Sequence, residues 1–434
     1  MPLIARDFRL PVTTVEWVAM SFLLALAVLL PIFGRLGDMA GHKRIYCLGF
    51  LLFTVASGAA VIAPGFLFLI GASLLQAAGG AMMMAAGPAI LTLAFPPSRR
   101  GQALGLQGLF TYLGLTIGPV LGGFLASLST WRAVFFINLP VGVFGIILSV
   151  LVIGEDRSTG KERFDLAGAA TFGTALLSGL LLLSQGPSWG WSWPTLSLLV
   201  VAPVSGVFFL RWESRTAEPM LDLRLFRRRL FSSSVASAFL NYTVVFILMF
   251  LLPFYLLDYG RLSPDQAGFL LTAMPVVMVV LTPIAGSISD RAGSQLLTAL
   301  GMALLALAAA SLAWLPSFLN PAAVIWRLAL AGAGVGLFVS PNSNAILGSA
   351  PSAQRGIASG VMALARSTGM VAGVAVGGYI LAVFGGGPAG ATGAVSGAYF
   401  PLAFHWAMLT AAFLSLAGMA MCLGRGGAAT ASTD

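Results

Sequence analysis

The sequence is poor in charge, cysteine and histidine. Charged residues make up 9% of its 434 positions, against roughly a quarter in an average soluble domain. The two cysteines and two histidines form no cluster with acidic residues, so the sequence predicts no metal site, no hydrolytic triad and no cofactor. A chain with so little charge cannot solvate the surface of a soluble enzyme, and we therefore expect no enzyme.

Nucleotide-driven and nucleic-acid-binding functions are also excluded. The segment GEDRSTGKE at 154–162 is the only one that resembles a phosphate-binding loop. It has one residue too many between its glycines, and Glu162 stands where Ser or Thr would hold Mg²⁺. The net charge of +9 comes from single basic residues in short loops between apolar runs, which indicates cytoplasmic loops rather than a nucleic-acid surface.

Long hydrophobic runs are what the sequence does contain. It is 58% hydrophobic and carries 52 glycines and 23 prolines, a composition typical of closely packed membrane helices. Because a helix needs about 20 apolar residues to cross a bilayer, the chain is predicted to be an all-α polytopic membrane protein. Thirteen spans are predicted, at 15–33, 45–63, 66–95, 102–127, 132–153, 165–185, 194–211, 231–258, 264–288, 295–314, 322–348, 356–384 and 399–423.

The distribution of Lys and Arg predicts the orientation. Arg6, Arg9, Arg132 and Arg261 fall on one side of the thirteen spans, and Arg327 and Arg366 lie within spans. The other 17 basic residues all fall on the opposite side. Positive charge accumulates in cytoplasmic loops, so we expect a cytoplasmic C-terminus in the inner or plasma membrane.

Two motifs recur at nearly the same separation. PIFGRLGDMAG at 31–41 returns as PIAGSISDRAG at 283–293, with Pro, Gly, Asp and Gly at identical spacing, and RGQALG at 100–105 returns as RGIASG at 355–360. The chain is therefore predicted to be a tandem duplication of a multi-span unit. The same offset places the counterpart of span 231–258 almost wholly before Met1, so we expect a fourteenth helix upstream of this start.

The motifs resemble those of a known family. GRLGDMAGHKR at 34–44 is similar to the cytoplasmic loop motif of the major facilitator superfamily, and GLTIGPVLGG at 114–123 resembles its antiporter motif. WRAVFFINLPVG at 131–142 and ESRTAEPMLDLRLFRRRLF at 213–231 resemble the fourteen-span drug:proton antiporters of the EmrB/QacA type. The resemblance implies two pseudo-symmetric helical bundles, at 1–153 and 231–434, with two inserted helices at 154–211 and a cytoplasmic linker at 212–230.

The resemblance also assigns roles to the motif residues. The conformational motif comprises Gly34, Arg35, Asp38, Gly41, Lys43, Arg44, Gly286, Asp290, Arg291 and Gly293. In its first copy the glycines permit a tight turn between two helices, and Asp38 is expected to bind amides at a helix N-terminus and to pair with Arg35 or Arg44. The antiporter motif comprises Gly114, Gly118, Pro119, Gly122 and Gly123, and is expected to pack helices closely and seal the outer route.

Two departures from the family bear on proton coupling. Ser73 stands where the family has an arginine, and Ala77 where it has a glycine. No acidic residue lies in the middle of a predicted span, although proton relays are built from Asp, Glu or His. His405 is the only histidine in a span and lies in a helix that is peripheral in the family.

Polar, aromatic and methionine side chains at mid-depth predict a central cavity for bulky amphipathic molecules. The predicted lining comprises Gln76, Gln107, Tyr112, Asn241, Tyr242, Met274 and Arg366. Arg366 is expected either to pair with Asn342, Asn344 or a carbonyl, or to contact substrate. Arg327 is expected to reach the outer interface or to face the cavity.

The leading hypothesis is therefore a monomeric efflux transporter for hydrophobic or amphipathic small molecules, coupled to protons and embedded in the bilayer. A facilitator without proton coupling fits the missing carboxylate and Ser73 better. A truncated, inactive transporter fragment and a non-transporting sensor or scaffold remain as alternatives.

Overall fold

The computed structural model describes most of the chain, and all its long elements are helices. It covers residues 4, 7–10, 12–15, 17–111, 113–114, 130–154, 164–216, 219–256, 260, 262, 264–315, 320–384 and 400–425. The helices are α1 Trp17–Ala40, α2 His42–Val61, α3 Phe66–Ala94, α4 100–111, α5 Asn138–Val152, α6 Leu166–Trp189, α7 Trp193–Glu213, α8 Arg229–Phe254, α9 Ala273–Ala292, α10 Gln295–Ala313, α11 Pro321–Ser349, α12 Arg355–Phe384 and α13 Phe400–Leu423. Short helices at Val12–Val15, Ala133–Phe136 and Pro264–Leu271 precede α1, α5 and α9.

Twelve of these helical segments are long and apolar enough to cross a membrane. They correspond to twelve of the thirteen predicted spans, so the all-α polytopic fold is confirmed. The remaining prediction, span 102–127, is described only as far as residue 114. Of the twelve, α7 is the least buried: only 6% of the residues in its most apolar 18-residue stretch are buried inside the protein. Such exposure fits a helix whose sides face lipid.

Two predicted span ends are wrong, one in each copy of the motif. The span expected to end at residue 33 continues as α1 to Ala40, so Gly34 and Asp38 are helical and do not lie in a loop. The chain turns at Gly41 alone, with φ 95°, before α2 begins at His42. The second copy behaves in the same way, since α9 ends at Ala292 and Gly293 has φ 80°. A single glycine in this conformation suffices for the turn because it lacks a Cβ.

The internal repeat is confirmed by equivalent helix packing. A Cβ placed on Gly49 of α2 would stand 2.9 Å from the carbonyl oxygen of Gly79 in α3. A Cβ on Gly301 of α10 would stand 2.6 Å from the carbonyl oxygen of Gly334 in α11. The two glycine pairs are separated along the chain by the same offsets as the two copies of the sequence motifs. Equivalent helices are therefore in backbone contact in both copies.

The helices form two groups that meet along a central interface. In the first group α3 packs against α1 and α2, and α2 against α5. In the second, α8 packs against α12 and α13, α10 against α11 and α13, and α9 against α11. α12 crosses the interface to contact α1 and α3, while α6 and α7 pack against each other beside α1.

Candidate functional site: a cavity between the two helix groups

A cavity of about 380 Å³ lies at the interface of the two groups. Helices α3 and α4 form one wall, and α8, α11 and α12 form the other. Its lining residues are Met84, Pro88, Leu104, Gln107, Gly108, Thr111, Ala238, Tyr242, Phe338, Val339, Asn342, Ser343, Met362, Ala363 and Arg366. The site is mostly apolar with a few converging polar groups, as is usual for small-molecule sites.

Three predicted lining residues do lie in this cavity. Gln107 reaches it from α4, Tyr242 from α8 and Arg366 from α12, so both helix groups contribute polar contacts. Sequence reasoning missed Ser343 and Thr111 as lining residues and considered Asn342 only as a partner of Arg366. The polar run that follows Pro341 in the middle of an otherwise apolar helix is the signal that could have found Asn342 and Ser343.

Three other predicted residues are directed away from the cavity. Gln76 Nε2 donates to Ser57 Oγ at 2.8 Å, between α3 and α2. Asn241 is fully buried and its amide nitrogen lies 3.4 Å from the sulfur of Met302 on α10. Met274 is fully buried and packs against α11. The predicted depths were right, but the rotation of each helix about its axis turns these side chains towards other helices.

Some predictions fall outside the described residues. These are Tyr112 and, in the antiporter motif, Gly118, Pro119, Gly122 and Gly123. Gly114 is described and exposed, and a Cβ placed on it would meet no atom within 4 Å. Among the described residues nothing packs closely against Gly114, and residues 115–129 lie outside them.

Arg366 is the only charged side chain among the described lining residues. Its expected partners are engaged elsewhere: Asn344 Nδ2 donates to Asp290 at 3.2 Å, and Asn342 Nδ2 donates to the carbonyl oxygen of Ser234 at 3.0 Å. Within the described part of the chain we find no hydrogen bond or ion pair of Arg366. The cavity thus presents an uncompensated positive charge.

Asp38 joins the two helix groups by binding the N-terminus of α12. The amides of Gly356 and Ile357 donate to the two oxygens of Asp38 at 2.7 and 2.8 Å. We call this contact the Asp38 clasp. The expected capping of a helix N-terminus is confirmed, and the carboxylate is stabilised there by the unpaired amides and the helix dipole.

Asp290, in the second helix group, makes the equivalent contact with the N-terminus of α4. The amides of Gly101 and Gln102 at the start of α4 donate to its two oxygens at 2.8 and 3.0 Å. We call this the Asp290 clasp. Each copy of the first motif therefore binds the second motif of the other copy, so both clasps join the two helix groups.

Glycines allow the backbones to meet at both clasps. A Cβ on Gly356 would stand 2.3 Å from the carbonyl oxygen of Gly34. A Cβ on Gly286 would stand 2.2 Å from that of Gly101. Real Cβ atoms cannot approach so closely, so only glycine permits these helix contacts.

One basic residue of the motif, Arg44, is not placed as expected. Asp38 lies 3.3 Å from Nε2 of buried His42, whereas Arg44 is exposed and does not pair with it. Lys43 Nζ donates to the carbonyl oxygen of Val150 at 3.1 Å. Arg35 is buried, and Arg291 is exposed.

Sequence reasoning also missed Arg425, which follows α13 and is only 3% exposed. Its guanidinium donates to Ser237 Oγ at 2.8 Å, to Thr298 Oγ1 at 3.0 Å and to Asn342 Oδ1. Burial lowers the pKa of Arg425 below its usual value. Because Asn342 also lines the cavity, Arg425 fixes the position of one polar side chain of the cavity.

The described part of the cavity lining contains no Asp, Glu or His. Ser73, at the position expected for arginine, is 2% exposed, and its hydroxyl has no hydrogen-bond partner. His405 Nδ1 lies 3.0 Å from the carbonyl oxygen of Ala313. No group that titrates near neutral pH therefore lines the described cavity.

Comparisons with known proteins give a consistent assignment. The sequence profile of the Major Facilitator Superfamily matches residues 1–374 and 234–432. The riboflavin transporter RibZ of Clostridioides difficile is 30% identical over 86% of this chain and 81% of its own. The multidrug resistance protein Stp of Mycobacterium tuberculosis is 30% identical over 88% and 72%. The crystal structure of the human organic anion transporter MFSD10 aligns with TM-score 0.66 and 18% identity, covering 96% of this chain and 87% of that one.

Proposed function

Because the chain belongs to the Major Facilitator Superfamily and is an integral membrane transporter, we propose that it exports hydrophobic or amphipathic small molecules by alternating access. The observation that carries the proposal is a cavity between two helix groups that two equivalent clasps hold together. Breaking both clasps separates the helix groups at the end where the clasps lie and opens the cavity there. A transporter needs two such states of comparable free energy.

The orientation follows from the basic loops. The end of the molecule with both clasps carries Lys43, Arg100, Arg291 and Arg355 from the predicted cytoplasmic set, since each lies close in sequence to a clasp residue. With that end in the cytoplasm of the cell, the structure corresponds to a state closed towards the cytoplasm, and the C-terminus is cytoplasmic. We place the protein in the plasma membrane as a monomer, with α6 and α7 as an inserted pair typical of the fourteen-span group.

The cavity favours a neutral or anionic amphipathic substrate. Met84, Met362 and Phe338 offer adaptable apolar surface, and Gln107 and Tyr242 offer hydrogen bonds. Arg366 adds one unpaired positive charge, which attracts an acidic group and repels a cation. The multidrug relative Stp supports export of drug-like molecules, while RibZ indicates that substrates differ among relatives.

Two coupling modes compete. Resemblance to the EmrB/QacA group favours exchange with protons, whereas Ser73 and the absence of a carboxylate from the described cavity favour a facilitator. Both predict the same cavity, but only proton exchange makes export depend on an imposed pH gradient.

Transport by purified protein in proteoliposomes tests the proposal. Anionic, neutral and cationic amphipathic dyes of similar size are assayed with and without an imposed pH gradient. We expect the anionic and neutral dyes to be moved, and Arg366→Gln to raise KM for the anionic dye about tenfold or more, as for a lost charge-assisted hydrogen bond. Arg327→Gln is the matched control, since Arg327 binds the carbonyl oxygens of Ser311 and Ala323 outside the cavity.

The outcomes separate the hypotheses. Gradient-dependent transport supports proton exchange, and transport independent of the gradient supports a facilitator. Failure to move any dye contradicts export and favours a sensor or scaffold. Equal effects of the Arg366 and Arg327 substitutions contradict the role given to Arg366.

A further inference from the structure

Two carboxyl groups border one small space near the Asp38 clasp, and one of their oxygens has no hydrogen-bond donor. Glu213 ends α7 and is 3% exposed, and Asp165 immediately precedes α6. A Cβ placed on Gly168 would stand 2.4 Å from Asp165 Oδ2 and 2.8 Å from Glu213 Oε2. The two oxygens therefore border the same small space.

The other three carboxyl oxygens of the pair each accept a hydrogen bond from a described residue. Asp165 Oδ1 accepts from the amide of Gly168 at 2.8 Å, and both its oxygens lie 3.1 Å from Trp212 Nε1. Glu213 Oε1 accepts from the amide of Leu221, but Glu213 Oε2 is buried with no hydrogen-bond partner. A buried acceptor without a donor is unfavourable, and two facing carboxylates repel each other. One proton shared between Glu213 Oε2 and Asp165 Oδ2 removes both penalties.

The pair is linked to the clasp along two routes. Leu221, which binds Glu213, is followed by Asp222, whose Oδ2 accepts from Gln354 Nε2 at 3.2 Å. Gln354 lies just before the α12 amides that bind Asp38.

The second route returns along α1. Arg35, one helical turn before Asp38, acts electrostatically on Glu213. The hydrogen-bonded chain from Glu213 thus leads to the α12 side of the Asp38 clasp, and Arg35 lies near Glu213 on the α1 side.

We propose that Asp165 and Glu213 form a proton-binding site whose protonation stabilises the Asp38 clasp. The proton bridges the two carboxyls, so Glu213 keeps its bond to the Leu221 amide and the segment leading to Gln354 stays in place. Loss of the proton leaves two repelling carboxylates, which loosens that segment and favours opening of the clasp. The inference rests on the proposed function, because it assumes that the clasp opens and closes.

Few charged or titratable groups surround this site among the described residues, and residues 155–163, which lead up to Asp165, lie outside them. Asp165 and Arg35 act on Glu213 directly, and Asp222 lies one residue beyond Leu221. His42 Nε2 lies 3.3 Å from Asp38 itself. The test must therefore separate the carboxyl pair from His42.

Amide hydrogen exchange of Gly356 and Ile357 reports the clasp without any transported substrate. The measurement uses the purified protein and is corrected for the intrinsic pH dependence of exchange. Protection should fall about tenfold between about pH 6 and pH 8, the effect expected when the pKa of the pair differs by one unit between the closed and the open clasp. Glu213→Gln supplies a permanent donor towards Asp165 and should keep protection high and independent of pH. Asp165→Asn should do the same and serves if the first variant folds poorly. His42→Gln should retain the fall.

The inference is overturned if Glu213→Gln and Asp165→Asn keep the wild-type fall, or if His42→Gln abolishes it. Asp222→Asn is the matched carboxyl control and should lower protection equally at both pH values. Exchange requires no substrate, so a failure of dye transport contradicts the proposed function while leaving this result interpretable. Transport without the pH response contradicts only the inference.

Discussion

At the scale of single residues, Arg425 illustrates a buried cation held by neutral groups. Its three main acceptors, Ser237, Thr298 and Asn342, come from α8, α10 and α11. The two hydroxyls also donate to carbonyl oxygens of their own helices, so they keep partners without Arg425. Without Arg425, Asn342 Oδ1 would retain only the 3.3 Å contact with Ser237. Removal of Arg425 therefore mainly weakens the hydrogen bonding of this buried amide.

We therefore expect Arg425→Ala to lower the free energy of unfolding by about 1–3 kcal/mol, the usual consequence of a buried polar group left unpaired. Thermal unfolding of the detergent-solubilised protein measures it. Arg215→Ala is the control, because Arg215 is exposed and such changes stay within about 0.5 kcal/mol. Equal stability of the two variants would contradict the role of Arg425.

At the scale of helices, the contact between α1 and α12 depends on the absence of two side chains. A Cβ on Gly356 would stand 2.6 Å from His42 Cε1 as well as 2.3 Å from the Gly34 carbonyl oxygen. Gly348, in α11, has no atom within 4 Å of the equivalent position. Both glycines are helical, so they differ in packing rather than in backbone conformation.

Gly356→Ala should push α1 and α12 apart, at a cost of about 1–3 kcal/mol for overpacking. We expect faster amide exchange at Ile357 and slower transport. Gly348→Ala should leave both unchanged and stabilise its helix slightly, since alanine favours helix by about 1 kcal/mol over glycine. Equal exchange rates of Ile357 in the two variants would contradict this effect of packing.

At the scale of the whole molecule, the two clasps should open together. If the helix groups move as rigid bodies, loss of either clasp must affect the other. Asp290→Asn replaces one charged acceptor oxygen by a donor that faces the α4 amides, which weakens interactions worth about 1.5–3 kcal/mol. Exchange should then rise about tenfold or more at Gly356 and Ile357, although Asp290 touches neither.

Asp7→Asn provides the matched control for this prediction. Asp7 accepts from Trp131 Nε1 at 2.9 Å and Arg132 Nη1 at 2.6 Å, and these bonds lower its pKa below the usual value. It lies away from both clasps, so their exchange should not change. A rise confined to Gly101 and Gln102 in Asp290→Asn would show that the clasps open independently.

The candidate site was predictable only in part. Gln107, Tyr242 and Arg366 were found because polar side chains at mid-depth of a membrane helix are rarely exposed to lipid. The same reasoning placed Gln76 and Asn241 in the cavity, where they do not lie. Depth along a helix follows from sequence position, but the direction of a side chain depends on how its helix is rotated against its neighbours.

By itself, the sequence determined the membrane helices, the duplication and the two aspartates that recur with it. These are local properties, because the bilayer requires long apolar runs and the duplication preserves residue spacing. Only the tertiary structure decided what the aspartates bind, since the amide partners of Asp38 lie more than 300 positions away along the chain. It likewise brought Asp165 and Glu213 together, because the meeting of two helix ends is decided by packing rather than by spacing.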